Sequence, residues 1–390
     1  MSSIDPESPL YLRFQAAFNN EPEAAARAPG RVEFIGNHTD YNGGLVIGLA
    51  VEQGVSVLAR LREDRVLRFT STQGNSVVES NLDGIERLSG EDSWANYPLG
   101  VIKAMIAKGA HFESGIELAV DSDLPAGAGM SSSAALELAT AYALAHLVHF
   151  PTDKATLARV CQIAENSFVG VPCGVFDQGV VAFGEAGKLV RIDFRKETFT
   201  TLPLGDNVRI WVFNTEQNHS LVDSFYSDRN AECMEAARIL SAQKEGASVL
   251  ADFSEAEVRA AQPLLTPVLF KRALHVVTEI ERVRSVEAAL AEGDLTRVGE
   301  CLFASHESSR TLFENSIEEL DVLVKLLKMS RGVYGARLTG GGFGGAVMAL
   351  TSPEFSPQHA DIIAADYAAQ FGSRPDILKT AAADGAGVLV

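Results

Sequence analysis

The chain has 390 residues, 46% of them hydrophobic, and a formal net charge of −18. That length accommodates two domains, or one with a large insertion, and the acidity argues against affinity for a nucleic-acid phosphate backbone. The four cysteines, Cys161, Cys173, Cys233 and Cys301, show no CxxC pairing, which argues against a zinc cluster or a disulfide framework.

The N-terminus, MSSIDPESPLYLRF, carries acids where a signal peptide needs bases. No window approaches the roughly 18 uninterrupted apolar residues of a membrane span, so a cytoplasmic protein is expected. The first informative stretch is GRVEFIGNHTDYNGG, Gly30 to Gly44. An apolar run (Val32, Phe34, Ile35) reads as a buried strand and leads into Asn37, His38, Asp40, Tyr41 and Asn42. Each of these hydrogen-bonding groups must be paired or solvated. A surface turn needs no such inventory; a site gripping a hydroxyl-rich ligand does.

The runs GLVIGLAVEQGVSVLARL and RVLRFTST are β-branched and turn-bounded, and predict strands. ANYPLGVIKAMIAKG predicts a helix ending at Gly109. SGIELAVDSDLP reads as a strand and SSSAALELATAYALAHLVHF as a long helix. Between them LPAGAGMSSS supplies glycines that admit close backbone approach, then serines at a helix start, where free N–H groups and the dipole bind anions. An ordinary serine cap needs one Ser, whereas GAG followed by SSS suits phosphates. The loop is not GxxxxGK[ST], and it has no lysine.

TDKATLARVCQIAENSFVG predicts a helix capped by Thr152 or Asp153. In AENSFVGVPCGVFDQGV, Gly170, Pro172 and Gly174 shape a turn before Asp177, which sits among apolar residues. A buried acid is costly unless paired, so Asp177 caps a helix, has a partner or does chemistry. GKLVRIDFR and VRIWVFNT read as strands, with the domain change between them at 196–207. The domains are then 1–203 and 204–390, with 376–390 able to pack back on the first. Helices are predicted over 228–243, 254–262, 267–291, 294–304 and 316–330. LTGGGFGGAVMAL formally matches GxGxxG through Gly340, Gly342 and Gly345. A dinucleotide fingerprint needs a helix next, but AVMAL reads as a strand. Strands and helices interleave without regular βαβ spacing, which predicts an α+β fold.

These segments, in this order, resemble the GHMP sugar and isoprenoid kinases, and most closely the galactokinase family, over nearly the whole chain. SWANYPLGVI, NTEQNHSLVDSFY and FASHESSR add to the likeness. The resemblance implies two α+β domains with the active site in the cleft between them. It implies ATP- and Mg²⁺-dependent phosphorylation of the C1 hydroxyl of galactose, small-molecule partners only, and a monomer or weak oligomer. It carries catalysis onto Asp177 and Arg31, and sugar contacts onto Arg31, Asn37, His38, Asp40, Gly174, Asp177 and Tyr226. Nucleotide contacts fall on Trp94, Gly127, Gly129, Ser131 and Ser132, and Mg²⁺ on Ser133 and Glu165. Gly341 and Gly342 would pack against the phosphate loop.

The chain also departs from the family pattern. Glu33 takes the place of an asparagine and Asn37 that of a glutamate, and Thr311–Phe313 lacks an acidic pair. In the family, the glutamate at the Asn37 position contacts the hydroxyl on the sugar's sixth carbon. An amide can donate where a carboxylate only accepts, so galactose use with relaxed discrimination at that carbon is expected, unless Glu33, which strand alternation puts on the face of Arg31, swings in to replace the missing carboxylate. Kinases for arabinose, galacturonate or an amino-sugar stay open, as does a non-catalytic sugar- and ATP-sensing regulator.

Overall fold

The computed structural model describes residues 5–74, 76–125, 127–171, 173–218 and 222–389; of 218 and 222–224 it describes the backbone alone. Pro172 of the expected turn, and 219–221 of NTEQNHSLVDSFY, lie outside that set. Two sheets organise the chain. The larger contains β1 (Ala24–Ile35), β2 (Leu45–Leu61), β3 (Val66–Ser71), β4 (Val77–Asn81), β5 (Ile116–Ser122), β6 (Lys188–Asp193) and β7 (Thr198–Pro203). The smaller contains β8 (Arg209–Asn218), β9 (Val333–Thr339), β10 (Gly344–Thr351) and β11 (Asp376–Thr380) in the order β11-β8-β10-β9. The C-terminal tail divides between them. While β11 pairs with β8, the short β12 (Gly387–Val388) pairs antiparallel with β1 in the larger sheet.

The helices are α1 (Pro9–Phe18), α2 (Asn96–Ala107), α3 (Ser132–Leu147), α4 (Lys154–Ile163), α5 (Phe176–Phe183), α6 (Val222–Ser241), α7 (Glu255–Ala260), α8 (Pro267–Glu292), α9 (Leu295–Ser308), α10 (Glu318–Met329) and α11 (Pro357–Phe371). Asp153 caps α4, its side chain accepting from the Thr156 amide. The chain then continues through a π-helical segment, Ala164–Val169, that carries Glu165. Such segments re-aim side chains and occur at functional sites. Buried residues run on every face of α3, from Ala134 to Ala145, so its polar N-terminus is fixed by packing all round.

The outline matches the expected α+β alternation, with differences. Helices α1 and α5 and strands β4, β7 and β11 were not foreseen. β7 lies inside 196–207, where a linker was expected, and adds to the edge of β6. Its sparse apolar residues give little periodicity because only one neighbour supports it. AVMAL is indeed a strand, β10, antiparallel to β9, so the glycines form a hairpin turn and not a dinucleotide motif. A separate core under the smaller sheet is built from Trp211, Phe213, Leu323 and Tyr367 among others.

Candidate active site

Two cavities lie on either side of the serine turn at the start of α3. The first, about 450 Å³, is lined by Arg31, Glu33, Asn37, His38, Asp40, Glu165, Gly174, Asp177, Tyr226 and Gly341, with others. It begins at an irregularity in β1. The β1–β2 register shifts between Pro29 and Arg31, and a bulge of this kind re-aims the next side chain. A Cβ at Gly30 would stand 2.4 Å from Leu124 and 2.8 Å from the Met130 carbonyl. Only glycine lets β1 approach the Leu124–Met130 segment this closely. The Arg31 amide then donates to the Met130 carbonyl at 3.0 Å.

The Arg31 guanidinium grips Asp177 with two hydrogen bonds, Nε to Oδ1 at 2.7 Å and Nη2 to Oδ2 at 2.8 Å. Its third nitrogen donates to the Gly129 carbonyl. The Ser131 hydroxyl donates to Oδ2 of the same carboxylate. Ser131 itself is left-handed (φ 53°) and makes no capping bond to α3. Asp177 stands in the first turn of α5, where the dipole favours negative charge. A bidentate arginine pair holds a carboxylate in one orientation.

The bend after β1 is fastened from below. Glu279 on α8 accepts from the amides of Gly36 (3.1 Å) and Asn37 (3.2 Å) and from the Ser305 hydroxyl (2.6 Å). Burial alone would raise this acid, but Arg282, His275 and Arg337 carry it down to about 2. His38 has φ 60°, and its Nε2 lies 3.0 Å from the Gly341 carbonyl. A carbonyl only accepts, so Nε2 carries the proton and Nδ1 accepts from the Tyr41 hydroxyl at 2.9 Å. Burial pushes this imidazole down to about 3. It is a neutral wall packed against Tyr226 and Phe313, with both nitrogens spent.

The Asn37 amide is spent in the same way. Its Nδ2 donates to Glu33 Oε1 (3.0 Å) and to the Gly340 carbonyl (2.8 Å). Its Oδ1 accepts from Asn315 Nδ2 (2.8 Å) and from the Ser309 hydroxyl (3.4 Å). Partly buried Asp40 faces the cavity, and a Cβ on Gly174 would come within 3.0 Å of its Oδ2. Burial, with Glu33 and Asp177 nearby, pushes Asp40 up to about 7 against local backbone hydrogen bonds.

The second cavity, about 480 Å³, is lined by Trp94, Tyr97, Ser71, Gln73, Ser132, Ser133 and Leu136, with others. Trp94 comes from a short 3₁₀ turn, Gly90–Ala95. Gly127 and Gly129 have φ of 69° and 62°, which favour glycine. The start of α3 lines the second cavity alone. Ser133 lines the second and stands beside Glu165, which lines the first. Gln178 Nε2 donates to Glu165 Oε2 at 2.6 Å. Burial and then Asp177 raise Glu165 above the usual carboxylate range, against the hydrogen bonds from Ser133, Cys173 and Gln178.

The structure thus gathers Arg31, Asn37, His38, Asp40, Glu165, Gly174, Asp177 and Tyr226 around one cavity, and Trp94, Ser132 and Ser133 around the other. Ser131 turns toward Asp177 rather than into the second cavity. The glycine hairpin differs from expectation. A Cβ on Gly342 would press on Asn315 and one on Gly341 on Tyr226, while Gly340 is the glycine with Gly129 nearest, at 3.8 Å. Sequence reasoning missed Gln178, Glu279, His275 and Asn315. Gln178 adjoins Asp177 in FDQ and offered a local signal; His275 and Glu279 come from α8 and Asn315 from the connection before α10, where composition is ordinary.

Two domains, a serine turn at a buried helix and paired cavities define a GHMP kinase. Residues 96–185 match the GHMP kinases N terminal domain, and 286–372 the GHMP kinases C terminal domain. Residues 12–61 match the galactokinase galactose-binding signature. A galactokinase of Chloroflexus aggregans is 39% identical over 381 residues, 98% of this chain and 97% of that protein. The crystal structure of Lactococcus lactis galactokinase complexed with galactose superposes with a TM-score of 0.92 at 32% identity, covering 97% of this chain and 98% of that one. Methanococcus jannaschii mevalonate kinase shares the fold, with a TM-score of 0.66 at 16% identity over 92% of this chain and 98% of its own. The chain belongs to the galactokinase family.

Proposed function

We propose that this protein transfers the γ-phosphoryl group of ATP to the C1 hydroxyl of galactose. The observation that carries the reading is the Asp177 carboxylate. It is gripped by Arg31 and Ser131 in the wall of the first cavity, with the serine turn between it and the second cavity. Phosphoryl transfer asks mainly for positioning and charge neutralisation. Asp177 orients or accepts the proton of the attacking hydroxyl, and Arg31 meets charge developing on the transferred group. The ATP phosphates lie against Gly127, Gly129 and the free amides at the start of α3, with Ser132 beside them and Trp94 near the adenine.

Ser133 and Glu165 would hold Mg²⁺. Among the described residues no three His, Cys, Asp or Glu side chains form a closed metal cage. A hydroxyl beside a buried carboxylate suits this ion, which keeps waters and takes substrate phosphates as ligands. When bound, it neutralises phosphate charge.

Glu33, Asp40, Glu165 and Asp177 face Arg31 across the first cavity. That excess of acceptors favours a neutral hydroxyl-rich sugar over a uronate. No helix among the described residues is long and apolar enough to cross a membrane, and we place the protein in the cytoplasm as a monomer or weak oligomer. A coupled ADP-release screen over free hexoses, pentoses and uronic acids tests the reading. Galactose should head the ranking. A chain that binds sugar and ATP without ADP release is the sensing regulator instead.

A further inference from the structure

Among the polar groups that line the first cavity, Glu33 is the one whose presence the reaction does not explain. It sits on β1 two residues beyond Arg31, is 6% exposed, and yet contributes to the cavity wall. One of its carboxylate oxygens is fully occupied. Oε1 accepts from Asn37 Nδ2 at 3.0 Å and pairs with Arg337 Nη2 at 3.0 Å. Arg337 is fully buried on β9, and its Nη1 also donates to the Glu33 carbonyl at 3.3 Å. The Glu33 amide is held by the Thr339 hydroxyl at 2.9 Å. No described residue hydrogen-bonds Oε2. That oxygen is left to the cavity that Glu33 helps to line, open to a ligand's donor.

The neighbours sharpen the point. Asn37 has both amide hydrogens and both acceptor sites of its oxygen engaged by the protein. His38 has both ring nitrogens engaged. Neither has hydrogen-bonding capacity left for a ligand. The Asn37 amide instead points a donor at Glu33 and fixes its rotation.

We infer that Glu33 is a specificity-determining residue, its Oε2 accepting a hydrogen bond from one hydroxyl of the bound sugar, while Asn37 and Arg337 are positioning residues that aim it. The inference rests on the sugar-kinase reading above and names the group that does the discriminating. Discrimination at this corner of the cavity belongs to a carboxylate, which rewards a donor, and not to the Asn37 amide. It is therefore sharp rather than relaxed.

The test is a cycle between protein and sugar. Affinities of the parent and of Glu33→Gln are measured calorimetrically for galactose and for its 2-, 3-, 4- and 6-deoxy forms, with kcat/KM from ADP release. In the parent, removing the hydroxyl read by Glu33 weakens binding about 10–100-fold, the size of a hydrogen bond to a charged group. In Glu33→Gln that one deoxy sugar loses little further affinity, while the other three lose as much as before. Asn37→Ala weakens the same coupling and no other. Glu33→Asp keeps the charge beside Arg337 and withdraws the oxygen by one methylene. It shows the same position-specific loss if the glutamine variant does not fold.

A merely structural Glu33 lowers affinity for all five sugars equally, and that result overturns the proposal. A parent that ignores galactose but phosphorylates another sugar overturns the galactose reading alone. The same cycle on that sugar's deoxy forms then decides Glu33. A parent that binds no sugar overturns both.

Discussion

The two cavities are of similar size but are built by different means. Every lining residue named for the second comes from the first 136 residues, and its polar groups are chiefly hydroxyls on strand ends and on the first turn of α3. The first draws on β1, the π-helical segment, α5, α6 and the β9–β10 hairpin. Its polar groups are mostly already bonded to protein. His38, Asn37 and Arg31 are each clamped by partners far away in the chain. A site that reads one sugar among many epimers needs groups fixed before the ligand arrives. A site for phosphates can rely on flexible hydroxyls and backbone amides, because charge is easier to satisfy than stereochemistry.

The contrast breaks hardest at Asp177, the proposed proton acceptor between the cavities. Asp177→Asn keeps the shape but gives up the charge and the proton acceptor. Turnover falls about 10²–10⁴-fold, the usual share of a general base, while ATP affinity measured by calorimetry stays within about threefold. Near-native turnover in a folded variant removes Asp177 from the reaction.

The junction at Ser133 and Glu165 tests whether the cavities share a metal. Ser133→Ala and Glu165→Ala each raise the Mg²⁺ needed for half-maximal rate by about 10–100-fold, a range typical of weakened metal sites. Sugar KM changes less. Unchanged metal titrations together with a raised sugar KM assign both residues to the first cavity alone.

The smallest effect sharpens the first cavity's electrostatics. Burial holds Asp40 at about 7 in the folded protein, above its unfolded value of about 3.9. The folded state therefore binds a proton more tightly than the unfolded chain. This stability is full below pH 4 and is lost as pH rises through 7. Asp40→Asn removes that loss. Its melting temperature exceeds the parent's by about 2–4 °C at pH 8, and the gap closes toward pH 4. Sugar affinity falls at both values. A gap that does not depend on pH shows that Asp40 is not titrating in this window.

Much of this architecture could be read from local sequence. The bend 30–44, the serine turn, the Asp177 segment and the glycine hairpin declare themselves because their chemistry is concentrated within a few residues. The helix period and strand alternation located most elements. Strand β7 escaped because it is an edge supported only by β6, and β4 because it pairs with β3 alone in the sheet. What tertiary structure decided was where each hydrogen bond goes. The letter Asn37 states two donors and an acceptor, but Ser309, Asn315 and Gly340, which bind its side chain, lie 272, 278 and 303 residues away. Sequence spacing cannot show that these groups exhaust the amide and leave the neighbouring carboxylate one free oxygen. That outcome depends on how the β9–β10 hairpin and α8 pack against the end of β1. Only the folded chain brings them within 3 Å or so of one another, where hydrogen bonds exist.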